Sequence, residues 1–355
     1  MTSAFSTRTT RALLAFSILA LSVLTVARQY ERLHPDFFAT TQMPRHVAVM
    51  QGTAPDPLQF RPLSEWLVEG ALRAARALHV PRPDHVAFLG VRALQNALLL
   101  FLAALLYGRL TRYWLSALIG LSLLAWSMTQ ATYNSDLSFN TYMDLTVYLA
   151  AALLILARRP VWLLPLMLVA ALNRETSGLV PVMLLLSAPL LAPAGPARLR
   201  LYGLAAAAFL IYAATTVGLH LYYGPRPTFH PYGHSAGLDL LLYNLHRRRV
   251  WLELLATFGV LPLLAACTWR RWPPLVRAWF WAIVPAWFLI HACLAYLDET
   301  RYMLIPLAVV FLPGLLAGIA APAETAPLSS PPVPTRDSPL ASRDSASVDN
   351  LPPPA

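Results

Sequence analysis

Two adjacent charged residues interrupt a long apolar stretch of the sequence. Arg174 and Glu175 lie in the motif NRETS at 173–177, between apolar segments at 161–172 and 179–192. A charged side chain at the centre of a bilayer costs at least about 2.5 kcal/mol, so such residues usually mark a functional site. A guanidinium binds phosphate or carboxylate groups, and a carboxylate accepts a proton or orients a substrate. The motif predicts a substrate site, with a purely structural buried ion pair as the alternative.

Each of these two charges can have a partner elsewhere in the chain. Adjacent side chains point in different directions, so Arg174 and Glu175 need not neutralise each other. Asp144, at the start of an apolar segment, is one candidate partner for Arg174. We therefore expect Asp144 to contribute to the same site.

A second charged turn separates two later apolar segments. This motif, DETR at 298–301, contains Glu299 and Arg301. An arginine in such a turn can bind a phosphate, and the glutamate can orient it. We expect Glu299 and Arg301 to join the substrate site.

The first long polar segment offers carboxylates close to the membrane surface. Glu31, Asp36 and Asp56 can each take a proton from an acceptor hydroxyl. Arg61, in the motif FRPL at 60–63, can hold a phosphate. The alternative is that these residues are ordinary polar loop residues without a chemical role.

A histidine-rich segment raises the question of a metal site. His220, His230, His234 and His246 lie near Asp239. The Pro and Gly between His230 and His234 argue against the helix that would bring both imidazoles to one side. We therefore expect no metal and no other cofactor, although a divalent ion remains an alternative.

The composition places the chain in a membrane. Hydrophobic residues make up 57% of the 355 residues and charged residues only 12%, against about 25% charged residues in soluble domains. All 27 basic residues are arginine, a bias typical of GC-rich bacterial genomes. The net charge of +10 does not indicate nucleic-acid binding, because much of it caps apolar segments rather than covering a soluble domain.

Apolar segments recur along most of the chain. Residues 12–27 follow Arg8 and Arg11, which favours an uncleaved signal anchor with a cytoplasmic N-terminus over a cleaved signal peptide. The predicted fold is an all-α polytopic transmembrane bundle of about nine or ten membrane segments. The later segments lie at 87–108, 113–129, 142–157, 161–172, 179–192, 201–220, 250–268, 278–296 and 302–320.

Arginine clusters between these segments predict the orientation. If all four arginine clusters are cytoplasmic, the chain crosses the membrane an even number of times between successive clusters. The two arms around NRETS then form a short helical hairpin, because at about 1.5 Å per residue they reach only roughly 18 and 21 Å into a core of about 30 Å. The clusters are Arg109 with Arg112, Arg158 with Arg159, Arg198 with Arg200, and Arg270 with Arg271 and Arg277.

The acidic residues are distributed unevenly in this topology. Four of the 17 acids lie at the C-terminal end, and all the others fall in outer segments or in the membrane. This asymmetry predicts a working site on the outer face. The triplet Arg247 to Arg249 is an exception to the positive-inside rule, because the same topology places it outside.

The first outer segment, at 28–86, includes a candidate interfacial helix. Ser64 can cap it, and its apolar residues share one face while its charged residues populate another. The apolar set is Leu67, Ala71, Ala74 and Leu78, and the charged set is Glu65, Glu69, Arg73 and Arg76. Such a helix lies in the headgroup plane, as a structural shelf or as a brace for a lipid site.

Domain organisation follows from composition. Residues 1–321 form the predicted multispanning domain, and 322–355, rich in Pro, Ser and Ala, form a disordered cytoplasmic tail.

The arrangement of residues 1–320, with the motifs FRPL, NRETS and ETR at 299–301, resembles an uncharacterised bacterial branch of the C-type glycosyltransferase superfamily. The resemblance implies an inner-membrane enzyme of the cell envelope that transfers a sugar from a polyprenyl-phosphate donor. Its partners would be the membrane lipid and this donor. It also implies phosphate binding by Arg174 and Arg301, Asp36 as catalytic base, and Glu175 as an orienting group or alternative base. The paired acids that often follow the first span in that superfamily are missing here.

Two other functions fit the same features. A transporter or flippase for an anionic lipid or metabolite would use the short hairpin as a broken-helix site and the Arg-Glu pair as a gate. A polysaccharide polymerase or ligase would use outer arginines on a lipid pyrophosphate. The sequence leaves the oligomeric state open.

Overall fold

Long apolar helices form the frame of the fold. The structure, a computed structural model, describes residues 7–131, 137, 139–228 and 233–320. Within this part of the chain every regular element is a helix, and the one β contact is an isolated bridge between Asp56 and Thr228. The predicted all-α bundle is confirmed. The tail at 322–355 and His230 lie outside the described residues.

Among the described residues, six helices are long and apolar enough to cross a membrane, and a pair bent by 66° can serve as a seventh span. In chain order the helices are α1 Thr7–Glu31, α2 Met43–Met50, α3 Pro62–Ala77, α4 Pro83–Thr111, α5 Trp114–Gln130, α6 Phe139–Leu156, α7 Leu163–Ala171, α8 Leu179–Leu191, α9 Pro196–Tyr223, α10 Leu238–His246, α11 Arg248–Phe258, α12 Leu261–Cys267, α13 Pro274–Leu294 and α14 Thr300–Ala320. The six spans are α1, α4, α6, α9, α13 and α14, and the bent pair is α11 with α12. Their lengths and composition indicate a multi-pass membrane protein.

Helices α7 and α8 are the short arms on either side of the NRETS motif. Both pack against α9, which is 28 residues long. At the tip between the arms, the Tyr212 hydroxyl of α9 donates to the Glu175 carbonyl at 2.8 Å. Tyr212 precedes the end of α9 at Tyr223 by eleven residues, or roughly 16 Å. The charged tip therefore lies inside the bundle rather than at its end.

The core is closed by contacts between α4, α5 and α14. Buried Tyr107 of α4 donates its hydroxyl to the Ala308 carbonyl at 3.0 Å, within a π-helical turn of α14. A Cβ at Gly120 of α5 would lie 2.5 Å from the Tyr107 ring. The glycine is thus required where these helices approach most closely.

Helix α3 differs from its predicted form. It begins at Pro62 without a side-chain cap, and Ser64 is buried and donates to Asn173 of the hairpin tip at 3.3 Å. Leu67 and Leu78 of the predicted apolar face are exposed on the surface of the bundle. The face packed inside is Val68, Leu72 and Ala75, together with Glu65 from the predicted charged set. The exposed apolar face suits a helix that packs on the protein with one side and faces lipid with the other.

The burial of Glu65 is explained by a histidine of α2. The Nδ1 of His46 lies 2.7 Å from Glu65, its Nε2 lies 3.0 Å from Glu69, and 2% of the side chain is exposed. Both ring nitrogens can donate to these two carboxylates at once when the ring is an imidazolium. Burial alone would lower the pKa of His46, but the two glutamates outweigh it and raise the pKa above its ordinary value. Hydrogen bonds from His46 and Arg73 lower the pKa of Glu69.

Raising the pH is expected to weaken this link between α2 and α3. A raised histidine pKa contributes stability that is complete below the unfolded pKa, ordinarily about 6.5, and is lost as pH rises through the folded pKa. The apparent melting temperature in detergent should fall by a few degrees between about pH 6 and 9. His46→Gln should be less stable at the lower pH and lack this decline. A decline of equal size in His46→Gln would contradict the assignment.

Candidate functional site

Parts of the chain that are distant in sequence enclose one cavity of about 710 Å³. Its walls come from the segment between α2 and α3, the start of α6, the hairpin tip, the segment between α9 and α10, and the turn between α13 and α14. Four arginines line it: Arg45, Arg61, Arg174 and Arg301. The first polar segment, the hairpin tip and the DETR turn, identified separately in the sequence, therefore meet at one site.

An ion pair joins the first polar segment to the hairpin tip. Arg61 binds Glu175 through two nitrogens, with NH2 at 2.6 Å and Nε at 3.0 Å from the same oxygen and Nε at 3.2 Å from the other. Burial alone lowers the pKa of Arg61, but the charge and hydrogen bonds of Glu175 outweigh it and raise the pKa. Both residues line the cavity, and the charge of each is satisfied by the other.

The neighbouring arginine has no such partner. Arg174 is 4% exposed, and no carboxylate of a described residue lies within 4.0 Å of its nitrogens. Its guanidinium lies over the Tyr302 ring at 4.6 Å, one nitrogen makes a 3.4 Å hydrogen bond to Thr141, and Nε has none. A buried guanidinium facing a cavity without an anion has the properties of a binding site for one.

The proposed pairing of Arg174 with Asp144 does not form. Asp144 is fully buried in α6, accepts a hydrogen bond from Thr176 at 2.8 Å, and leaves its other oxygen without a partner. Through this hydrogen bond Asp144 holds the hairpin tip, and it does not line the cavity. Asp144 binds the hydroxyl of Thr176 instead of the Arg174 guanidinium. The expected ion pair between Asp144 and Arg174 is therefore replaced by a hydrogen bond between α6 and the hairpin tip.

The DETR turn forms a second compact polar group. Arg301 donates to Glu299 at 2.5 Å, and Glu299 also accepts from the Tyr302 hydroxyl at 2.7 Å. The guanidinium of Arg301 lies 5.2 Å from the Tyr302 ring centroid. Tyr302 thus contacts both Arg174 and Arg301, and so links the hairpin tip to the turn.

Asp36 and Asp56, two of the three candidate acids of the first segment, are placed differently. Asp36, the predicted base, has 72% of its side chain exposed, lies 4.0 Å from His34, and does not line the cavity. Asp56 does line it, and its carboxylate has no hydrogen bond or ion pair with the described residues. Its backbone is fixed by a 3.0 Å bond to the Pro227 carbonyl. The structure therefore favours Asp56 over Asp36 as the acid of this site.

Sequence reasoning missed one histidine and one tyrosine. His291 and Tyr302 both line the cavity and lie next to each other, with ring centroids 5.0 Å apart. An ionisable residue inside a membrane span is a functional candidate by default. That rule, applied to α13, would have identified His291.

The histidine-rich segment contributes to the same cavity. His220 stacks on Phe60 with centroids 3.8 Å apart, and His234 lies 3.3 Å from Asp239. His220 and His234 line the cavity, whereas His246 does not. Among the described residues no three His, Cys, Asp or Glu side chains are grouped to hold a metal.

Searches for related proteins give no match: no family model, curated protein or solved structure is similar to this chain. The fold and the cavity alone define its class, a multi-pass helical membrane protein with a buried arginine facing an internal cavity.

Removing the acid of the ion pair is expected to destabilise the protein. Glu175→Gln leaves Arg61 partly buried without its counter-charge, at a cost of roughly 2 to 3 kcal/mol. Unfolding of the purified protein in detergent measures the change.

The exposed pair Arg249 and Glu253, at 3.7 Å, gives the matched control. Glu253→Gln is expected to change stability by less than about 0.5 kcal/mol. Equal effects of the two substitutions would show that the buried pair does not hold the hairpin tip.

Proposed function

We propose that this protein is an integral membrane glycosyltransferase that transfers a sugar from a polyprenyl-phosphate donor to an acceptor. The observation that carries the proposal is Arg174, a buried arginine that faces the cavity and has no carboxylate partner among the described residues. The donor phosphate supplies the missing anion.

Arginine at this position serves the chemistry of transfer. When the bond between the anomeric carbon and the phosphate oxygen breaks, negative charge develops on the leaving phosphate. Arg174 stabilises that charge, and Tyr302 and Thr141 hold the guanidinium in place. Arg61 positions the site, because Glu175 occupies its nitrogens.

The cavity also offers an apolar wall for a lipid. Leu240 of α10 and Ile290 and Leu294 of α13 line it. Leu294 is 62% exposed, so this wall continues onto the apolar surface of the bundle. A polyprenyl chain can lie along this surface while its phosphate reaches Arg174.

The positive-inside rule orients the site. Helices α6, α9 and α13 each have one end at the cavity and arginines at the other, in the clusters at 158–159, 198–200 and 270–277. With these arginines in the cytoplasm, the cavity opens on the outer face of the cell membrane. Both termini are then cytoplasmic, and the acceptor is an envelope component.

A transporter for an anionic lipid or metabolite is the second candidate. The short arms α7 and α8, with a charged tip inside the bundle, and the 66° bend between α11 and α12 support it, since broken helices often form transport sites. A transporter requires a path to both faces, and it leaves the bonds of its substrate intact.

Transfer by the reconstituted protein tests the proposal. With a panel of radiolabelled polyprenyl-phosphate sugars, wild type is expected to transfer sugar from at least one donor. Arg174→Ala is expected to lower kcat/KM at least about 100-fold, the usual effect of removing one group that stabilises developing charge.

Arg200→Ala is the control, because Arg200 is exposed at the opposite end of α9. It should transfer sugar at the wild-type rate. Full activity of folded Arg174→Ala would refute the anion site. Movement of the labelled lipid across the bilayer without sugar transfer would favour the transporter.

A further inference from the structure

His291 is the one histidine of α13, and a stacking contact and a hydrogen bond hold its ring in place. Only 2% of it is exposed, its ring stacks on Trp287 with centroids 4.6 Å apart, and Nδ1 lies 2.9 Å from the Trp287 carbonyl. Yet it lines the cavity. The described part of the chain thus holds a buried histidine with one nitrogen anchored and the other toward the cavity.

The anchor determines which nitrogen carries the proton. A carbonyl oxygen can only accept, so Nδ1 carries the hydrogen and donates it. In the neutral ring Nε2 is then a lone-pair acceptor. No hydrogen bond or ion pair of the described residues uses Nε2.

The ring lies next to the anion site. Tyr302 contacts His291 at 5.0 Å between centroids and the Arg174 guanidinium at 4.6 Å. His291 and Arg174 thus flank the same tyrosine ring, and both line the cavity that a substrate would enter. The carboxylates are less suitable, because Glu175 is bound by Arg61 and Asp56 has no contact that ties it to Arg174.

We propose that His291 is the general base that accepts the proton of the acceptor hydroxyl through Nε2. This assignment rests on the proposed transferase function. The hydroxyl oxygen forms a bond to the anomeric carbon while the carbon's bond to the phosphate oxygen breaks. The polyprenyl phosphate leaves with the bonding electron pair, and the hydroxyl proton moves to Nε2, from which water later removes it.

Other ionisable groups surround the ring and bear on its pH dependence. The positive charges of Arg174 and Arg61 act on the ring. Tyr302 faces it from α14, and Glu175, Asp56, Glu299 and Arg301 line the same cavity. His234, in the segment before α10, and Tyr296, in the turn after α13, are further polar groups of the lining.

Two substitutions separate the anchor from the base. In His291→Asn, the amide nitrogen can replace Nδ1 as donor to Trp287, but nothing occupies the position of Nε2. In His291→Gln, the amide oxygen can accept a hydrogen bond there but cannot take the proton. Both are expected to lower kcat/KM by at least about 100-fold, the usual effect of losing a general base.

The pH profile distinguishes a base from a packing residue. A general base must be neutral to act, so wild-type kcat/KM should fall on the acid side of its profile as Nε2 becomes protonated. In His291→Gln the residual rate should lose that acid limb. His246→Gln is the matched control, since His246 makes the same bond to the carbonyl four residues earlier, at 2.8 Å, but is exposed outside the cavity.

Each result decides the assignment. An acid limb that persists in His291→Gln at near wild-type rate would overturn it, as would an acid limb that disappears instead in Asp56→Asn. If wild type transfers no sugar from any donor, the transferase proposal fails together with the base. If wild type transfers sugar and the His291 variants have the same kcat/KM and acid limb as wild type, only the assignment of His291 as the general base is overturned.

Discussion

The bond between Arg61 and Glu175 is the constraint on which the site depends. It joins residues 114 positions apart and holds the hairpin tip against the segment before α3. Placing charges in a bundle core is costly unless they are paired with good geometry, and the two-nitrogen contact provides that geometry. Because it uses the one acid of the hairpin tip, Arg174 is left buried without a carboxylate partner among the described residues. The same contact therefore holds the hairpin tip and leaves Arg174 available for the proposed anion site.

The helices around this pair explain why the cavity remains open. The arms α7 and α8 are too short to cross the bundle, so the tip stops beside Tyr212 and leaves space between it and the end of the bundle. That space is walled by the turn before α14 and by the segment between α9 and α10. Tyr302 connects the arginines of the tip and the turn. Short helical arms, normally unfavourable in a membrane, are tolerated where they border a polar cavity.

Much of this arrangement could be predicted from the sequence. The lengths of the apolar segments predict the spans, and the positions of the arginine clusters predict the short hairpin. The cost of placing charges in lipid identifies Arg174 and Glu175 as candidates. Partner choice could not be predicted, because it depends on how distant segments meet. Asp144 accepts a hydrogen bond from Thr176, and Glu175 forms an ion pair with Arg61. The burial of Glu65 in α3 could not be predicted either, because it depends on the contact with His46 of α2. The role of His291 depends on the Trp287 carbonyl and on Tyr302, and periodicity indicates neither contact.

The central claim is that Arg174 binds the phosphate of a lipid-linked substrate in this cavity. Cryo-electron microscopy of the purified protein in nanodiscs with a short-chain polyprenyl phosphate tests it most directly. The account predicts phosphate density about 3 Å from the Arg174 guanidinium, with the Arg61 and Glu175 contact intact and the chain along Leu240 and Leu294. Phosphate density elsewhere, or Arg174 turned to bind Asp144 while the lipid occupies the cavity, would contradict it.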